Sequence, residues 1–203
     1  MNAHKWGFGA PLGHDCQMVL SEEPLKTTTI FCDKYLRKRS WPLPLAQHWS
    51  LQYPGLFDFD DLRQAVNQPE KHFYKWYVAI HIFQRDGSVS MVEKCAYPNN
   101  PVKYERYVDL LTQETRDQLD SIRAEWHNVQ LPDLMVIAAD HETVSFAEVK
   151  GPGDRLHGGQ SESHAAIRQL GFEVEFIEVV LKDLLLERDA WRRRSGSMKR
   201  ASK

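Results

Sequence analysis

The sequence contains 203 residues, of which 42% are hydrophobic and 27% are charged, and its formal net charge is −2. A chain of this size and composition is typical of one folded domain and can bury a core without disulfides or a structural metal ion. It has no run of about 18 apolar residues, so no membrane-spanning helix is predicted. Neither a zinc site nor a disulfide framework is favoured, because the cysteines are far apart and odd in number: Cys16, Cys32 and Cys95.

The N-terminal third is predicted to be mainly helical. Residues 1–20 are rich in glycine and irregular. A helix is predicted over residues 21–39, because a serine, two acids and a proline in succession are typical of a helix N-terminus. Pro42 and Pro44 follow and cannot extend this helix. Residues 45–68 are predicted to form short aromatic-rich segments.

Basic residues cluster at 34–39 and again at 192–203. Phosphate binding depends on where lysine and arginine lie, so a net charge of −2 neither supports nor excludes a nucleic-acid partner. Each cluster has a simpler interpretation as well. The first could be the exposed face of a helix, and the second a solvated chain end.

The middle of the chain is predicted to contain two longer helices. The first begins at Pro69, ends at Asp86-Gly87 and buries an apolar stripe: Phe73, Trp76, Tyr77, Ile80 and Phe83. Residues 88–95 are predicted to form a short strand. A long polar helix is then predicted over residues 104–127, with its own buried stripe: Tyr107, Leu110, Leu111, Leu119, Ile122 and Trp126.

The C-terminal third alternates between strands and helices. Short apolar or alternating segments predict three strands, at residues 134–139, 144–149 and 172–180. A turn separates the first two strands, and a glycine-rich loop at 151–159 precedes a helix at 160–170, which Gly171 ends. A last helix is predicted over residues 181–191. This order predicts an α/β fold, a mixed β-sheet flanked by helices.

Three polar residues are expected to meet at one end of this sheet. Asp133 directly precedes one strand, and Glu148 and Lys150 end the next. If the two strands form a hairpin, the carboxylates converge, and residues two apart share one face. Carboxylate oxygens can hold Mg²⁺, and the carbonyl of Val149 is a candidate third ligand. Lys150 could then hold the attacking water or stabilise negative charge that develops in the transition state.

These residues carry a resemblance to a known family. Leu131-Pro132-Asp133-Leu134, followed by Phe146 to Leu156 (FAEVKGPGDRL) and Gln160, resembles the VRR-NUC nuclease domain of the PD-(D/E)xK superfamily. The domain forms the C-terminal part of the Fanconi-associated nuclease and also occurs in phage, bacterial and secreted-toxin proteins. The resemblance covers residues 128–180 and implies a restriction-endonuclease-like fold and a Mg²⁺- or Mn²⁺-dependent deoxyribonuclease. It implies catalytic positions at Asp133, Glu148 and Lys150, with Gln160 near the metal ion.

The sequence departs from the family pattern upstream. Family members usually supply another metal-binding glutamate from an earlier helix, but the corresponding position here is Ser50. Glu22, Glu23 and Glu70 are the alternatives, and Glu70 is a candidate metal ligand. A site with fewer ligands, holding one metal ion, is the other possibility.

The expected function is therefore metal-dependent hydrolysis of phosphodiester bonds in DNA. Two settings fit: an antibacterial effector with an immunity protein as partner, active in the cytoplasm of a target cell, or a cytoplasmic phage or bacterial repair nuclease. The alternatives are a catalytically inactive DNA-binding or scaffold module, and a nuclease that acts on RNA. We expect a helical N-terminal part at residues 1–68, the nuclease core at 69–191 and a basic tail at 192–203.

Overall fold

The computed structural model describes residues 25–92, 101–125 and 131–183. The strands are, in chain order, β1 (Lys26–Asp33), β2 (Val89–Val92), β3 (Leu134–Ile137), β4 (Val144–Lys150) and β5 (Glu173–Lys182). The helices are α1 (Leu36–Ser40), α2 (Leu45–Gln52), α3 (Phe59–Asn67), α4 (Pro69–Asp86), α5 (Pro101–Leu110), α6 (Gln113–Glu125) and α7 (Gly158–Gln169).

The five strands form one sheet with the order β1-β5-β4-β3-β2. Strand β3 is antiparallel to both of its neighbours, whereas β4, β5 and β1 are parallel to one another. Helix α7 connects β4 to β5, because a parallel pair needs a crossover that a short turn cannot provide. The predicted mixed sheet flanked by helices is confirmed.

Helices cover both faces of the sheet. One core cluster packs α2, α3 and α4 against the side of β4 that carries Ala147 and Val149. The second packs α5, α6 and α7 against the side that carries Val144 and Phe146. Strand β4 is buried on both faces because it lies in the middle of the sheet. None of the described helices is long and apolar enough to cross a membrane.

The helix predicted over residues 21–39 is wrong for most of its described length. Residues 26–33 form β1, which pairs in parallel with β5 along all eight positions. The strand contains Thr27, Thr28, Thr29 and Ile30, and such β-branched residues favour a strand over a helix. Only α1 is helical here. The segment 1–68, expected to be helical, thus contributes an edge strand to the central sheet.

Two other helix predictions also need correction. The helix predicted at 104–127 is two helices, α5 and α6, separated at Leu111-Thr112. The Thr112 hydroxyl accepts a hydrogen bond from the Thr115 amide at 3.2 Å, which caps the start of α6. Of the helix predicted at 181–191, the first two residues belong to β5. Residue 183 lies in neither a helix nor a strand, and residues 184–191 and the basic tail at 192–203 lie outside the described residues.

Other predicted elements are confirmed. Helix α4 begins at Pro69 and ends at Gly87, whose φ of 79° suits glycine. Strands β3 and β4 form the predicted hairpin, and the carboxylate of Asp140 accepts hydrogen bonds from the Glu142 and Thr143 amides in its turn. The segment at 45–68, expected to hold only short pieces, forms α2 and α3. The division into 1–68, 69–191 and 192–203 stays a prediction.

A buried ion pair ties the second helical layer to the first. The side chains of Lys103 in α5 and Asp61 in α3 are 1% and 3% exposed, and their charged groups are in contact. Lys103 also donates to the carbonyl of Val92 at the end of β2. Burial raises the pKa of Asp61, and the charge of Lys103 only partly opposes this effect. Either charge left alone in this core would be uncompensated.

We expect Lys103→Met to lower the free energy of unfolding by about 3–5 kcal/mol, because it leaves the Asp61 carboxylate buried without its cation. Urea denaturation measures the change. Arg63→Ala, which removes a largely exposed arginine from its pair with Asp60 on the same helix, is the control and should cost less than Lys103→Met, about 1 kcal/mol. Equal losses in the two variants would contradict the assignment of the buried pair.

Candidate active site

The β3–β4 hairpin brings Asp133 and Glu148 together. Leu134 pairs with Ala147, so the next position places Asp133 opposite Glu148, on the same face of the sheet. Pro132 has no amide hydrogen and cannot continue the ladder. The amide of Val149 instead donates to Oδ2 of Asp133 at 3.1 Å, which holds this carboxylate at the end of the two strands.

Glu148, Lys150 and Gln160 form a closed set of hydrogen bonds. Nζ of Lys150 lies 2.8 Å from Oε1 of Glu148, and Nε2 of Gln160 donates to the same oxygen at 2.7 Å. Nζ of Lys150 also donates to Oε1 of Gln160 at 2.9 Å. Glu148 and Lys150 are 2% and 7% exposed, so each group is fixed by the other two.

The glycine-rich loop after β4 and the start of α7 bring Gln160 to this position. Oδ2 of Asp154 accepts from the Gly151 amide at 3.0 Å, which closes the loop on itself. Oε1 of Gln160 also accepts from the His157 amide at 3.2 Å. The first turn of α7 is therefore locked to β4 through the same glutamine that contacts Glu148 and Lys150.

The two carboxylates have opposite pKa shifts. Burial raises the pKa of Asp133, the nearby Glu148 raises it further, and the charge of Lys75 partly compensates. For Glu148, burial alone would raise the pKa, but hydrogen bonds from His164 and Lys150 together with their charges hold it below its usual range. The surroundings of Glu148 thus keep its carboxylate ionised, whereas ionisation of the neighbouring Asp133 depends on a nearby cation.

Both carboxylates open onto a cleft of about 720 Å³. Its walls are the end of β4, the loop at 151–157 and the N-terminal half of α4. Positive side chains are prominent among its lining residues: Arg37, Lys71, Lys75, Lys150 and Arg155. Four acids also line the cleft, Glu70, Asp133, Glu148 and Asp154, so the lining is slightly basic, although the chain as a whole carries a formal charge of −2.

The candidates for an additional acidic ligand differ in position. Glu70 lines the cleft, but its side chain is 76% exposed and pairs with Arg37. Ser50 lies on α2, does not line the cleft and donates its hydroxyl to the Ala46 carbonyl at 2.9 Å. Glu22 and Glu23 lie outside the described residues. Of the alternatives, the structure brings only Glu70 to the cleft, and it stays a prediction as a ligand.

The oxygen donors present fit a hard divalent cation. Asp133 and Glu148 offer carboxylates, and Val149, whose carbonyl was expected as a third ligand, also lines the cleft. In the described part of the chain, no group of three or more His, Cys, Asp or Glu side chains is arranged to hold a metal ion. Among the described acids that line the cleft, Asp133 and Glu148 lie opposite each other, whereas Glu70 pairs with Arg37 and Asp154 accepts from the Gly151 amide.

Two residues that the sequence did not indicate as part of the site contact these carboxylates. Nζ of Lys75, on α4, lies 2.9 Å from Oδ1 of Asp133. His164 is buried on α7, and its Nε2 lies 3.5 Å from Oε2 of Glu148. A helical signal was available for the histidine, because it lies four residues after Gln160 and so on the same side of α7. Lys75 lies four residues after Lys71, beside the apolar stripe of α4.

Part of the chain, including the β3–β4 hairpin and α7, matches a known protein family. Residues 84–181 match the VRR-NUC domain. The match includes the last three residues of α4, strands β2 to β4, helices α5 to α7 and most of β5, and it contains Asp133, Glu148, Lys150 and Gln160. No significant match was found among curated proteins.

Gly151→Ala is expected to lower the free energy of unfolding by about 1–3 kcal/mol, the usual cost of overpacking. A methyl group there would lie 2.7 Å from Cδ2 of Tyr74, which α4 holds against the loop. Gly158→Ala is the control, since nothing lies within 4 Å of an added methyl group. Thermal unfolding measures both variants.

The double variant Gly151→Ala/Tyr74→Ala tests the cause of this effect. If the tyrosine ring is the obstacle, removing it should recover most of the loss relative to Tyr74→Ala alone. A loss that is the same in both backgrounds would show that the loop, and not its contact with α4, requires glycine.

Proposed function

We propose that the chain is a metal-dependent nuclease that hydrolyses phosphodiester bonds in DNA, because residues 84–181 match the VRR-NUC domain. One observation carries the proposal. Asp133 and Glu148 lie opposite each other at the end of the β3–β4 hairpin, and Lys150 and Gln160 contact Glu148 in a basic cleft.

In this proposal Asp133, Glu148 and the carbonyl of Val149 hold Mg²⁺ or Mn²⁺. Such an ion neutralises phosphate charge and lowers the pKa of bound water. Lys150 is oriented by Glu148 and Gln160, so its ammonium group is positioned to hold the attacking water or to stabilise charge on the phosphate. Gln160 contacts both groups, and we assign it the role of fixing their separation.

The cleft chemistry supports a polyanionic substrate. Arg37, Lys71 and Arg155 line its walls and can contact phosphates on either side of the scissile bond. Such contacts are insensitive to base sequence, so we propose a backbone-directed nuclease whose affinity falls steeply with salt. Parallel assays with DNA and RNA substrates of the same sequence test the preference for DNA.

The biological setting is a further part of the proposal. The same site would serve an antibacterial effector neutralised by an immunity protein and a cytoplasmic repair nuclease. Growth arrest of a bacterial host by the wild type, relieved by Glu148→Gln, would support the effector. Harmless expression of a protein that is active in purified form would contradict it.

We expect Glu148→Gln to lower the rate of plasmid cleavage on the order of 100-fold or more, because it removes an acidic ligand and a partner of Lys150. Glu142→Gln makes the same chemical change at an exposed position in the β3–β4 turn and should cleave like the wild type. The measurement is conversion of supercoiled plasmid with Mg²⁺ or Mn²⁺. Cleavage by Glu148→Gln at the wild-type rate would refute the proposed site.

Removal of divalent cations should abolish cleavage, and adding Mg²⁺ or Mn²⁺ back should restore it. DNA binding, measured by fluorescence anisotropy without divalent cations, separates the proposed nuclease from its alternative. Binding without cleavage under every metal condition would favour an inactive DNA-binding module, and cleavage that survives chelation would contradict metal dependence.

A further inference from the structure

Lys75 lies where its charge acts on the carboxylates of the cleft. It is on α4, upstream of the residues that match the VRR-NUC domain, and its Nζ is 2.9 Å from Oδ1 of Asp133. Its side chain is 13% exposed, and the carboxylate that it contacts is 16% exposed. A lysine removed this far from water needs an anionic partner, and Asp133 supplies it.

Helix packing holds Lys75 in place. Phe73 and Trp76, on either side of it in sequence, are fully buried in the core between α4 and the sheet. The neighbouring face of the helix carries Lys71 and Tyr74, which line the cleft together with Lys75. Lys75 is thus positioned by a helix that is packed into the core, so its contact with Asp133 does not depend on a freely moving surface side chain.

The site has a second lysine–carboxylate pair, Lys150 with Glu148. The two ammonium groups therefore balance the two carboxylates before any divalent cation binds. Glu70, the remaining acid on the cleft wall whose side chain is largely exposed, is balanced by Arg37. Asp154, the other acid that lines the cleft, accepts from the Gly151 amide, and Lys71 and Arg155 add two further positive charges.

This balance limits how many divalent cations the site can hold. One such ion adds two positive charges. A scissile phosphodiester carries one negative charge and gains another during attack, so it offsets one ion but not two. A second ion would find only Glu70 and Asp154 as further acids among the described residues that line the cleft, and these are already bonded, the first to Arg37 and the second to the Gly151 amide.

We infer that Lys75 is a second active-site lysine that occupies Asp133 in the metal-free protein and gives way to a single divalent cation. Released from Asp133, its ammonium group stays at the cleft and faces the scissile phosphate, where it contributes the positive charge that a second ion would otherwise bring. The catalytic part of this inference rests on the proposed nuclease function, but the competition for Asp133 does not.

The decisive experiment titrates Mn²⁺ into the DNA-free protein by isothermal titration calorimetry. We expect the wild type to bind one ion, and Lys75→Met to bind it on the order of tenfold more tightly, because a competing positive charge has been removed. Lys75→Arg keeps the charge and should bind Mn²⁺ like the wild type.

Lys71→Met is the matched control. It removes an exposed lysine from the same cleft one helical turn earlier, and its charge is screened by salt. Its Mn²⁺ affinity should stay within about twofold of the wild type. If Lys75→Met does not fold, Lys75→Gln replaces it, since the amide can still donate a hydrogen bond to Asp133.

Cleavage provides the second readout. Lys75→Met should lower kcat on the order of 100-fold with little change in KM, whereas Lys71→Met should mainly raise KM. Unchanged or weaker Mn²⁺ binding by Lys75→Met, or two ions bound by the wild type, would overturn the inference. A wild type that binds Mn²⁺ as expected but cleaves nothing would overturn the nuclease proposal and leave the competition for Asp133 supported.

Discussion

The pairing of β3 with β4 is the constraint on which the site depends. It sets Asp133 opposite Glu148 on one face of the sheet, and a shift of one residue would send one of them to the other face. The register is held by the apolar residues of both strands, which are buried, and by the Asp140 turn that closes the hairpin. The carboxylates therefore meet because a hydrophobic sheet cannot slip, and no contact between the acids themselves is needed.

Two desolvated carboxylates at one point are unfavourable unless cations accompany them. Lys150 reaches Glu148 from the same strand, and Gln160 joins them from α7. Lys75 reaches Asp133 from the helical layer on the other face of the sheet. The opposite pKa shifts follow from this difference, because Glu148 has two basic partners and Asp133 has one. A metal ion would find Glu148 already ionised and would compete with Lys75 for Asp133.

The parts of the fold that could be predicted are those that depend on residues close together in the sequence. The hairpin, the loop at 151–157 and the meeting of Asp133 with Glu148 follow from a turn, two apolar segments and the strand period. Strand β1 was missed because its partner β5 lies far along the chain. In addition, the serine, two acids and proline at residues 21–24, just before β1, resemble a helix start. Lys75 was missed because helical periodicity identifies the apolar face of α4 but not which of the polar residues beside it reaches Asp133.

Residues upstream of the VRR-NUC match form part of the cleft. The rings of Trp41 and Phe57 pack against Trp76, and the Phe57 and Trp76 rings are stacked with their centroids 3.7 Å apart. Trp41 also contacts the rings of Trp49 and Phe73. This aromatic cluster fixes α4 against the sheet, so it also fixes the distance from Lys75 to Asp133. The cleft therefore has two walls of different origin. The end of β4 and the loop at 151–157 form one wall, which lies within the VRR-NUC match. The N-terminal half of α4 forms the other, and its position depends on the packing of these aromatic side chains.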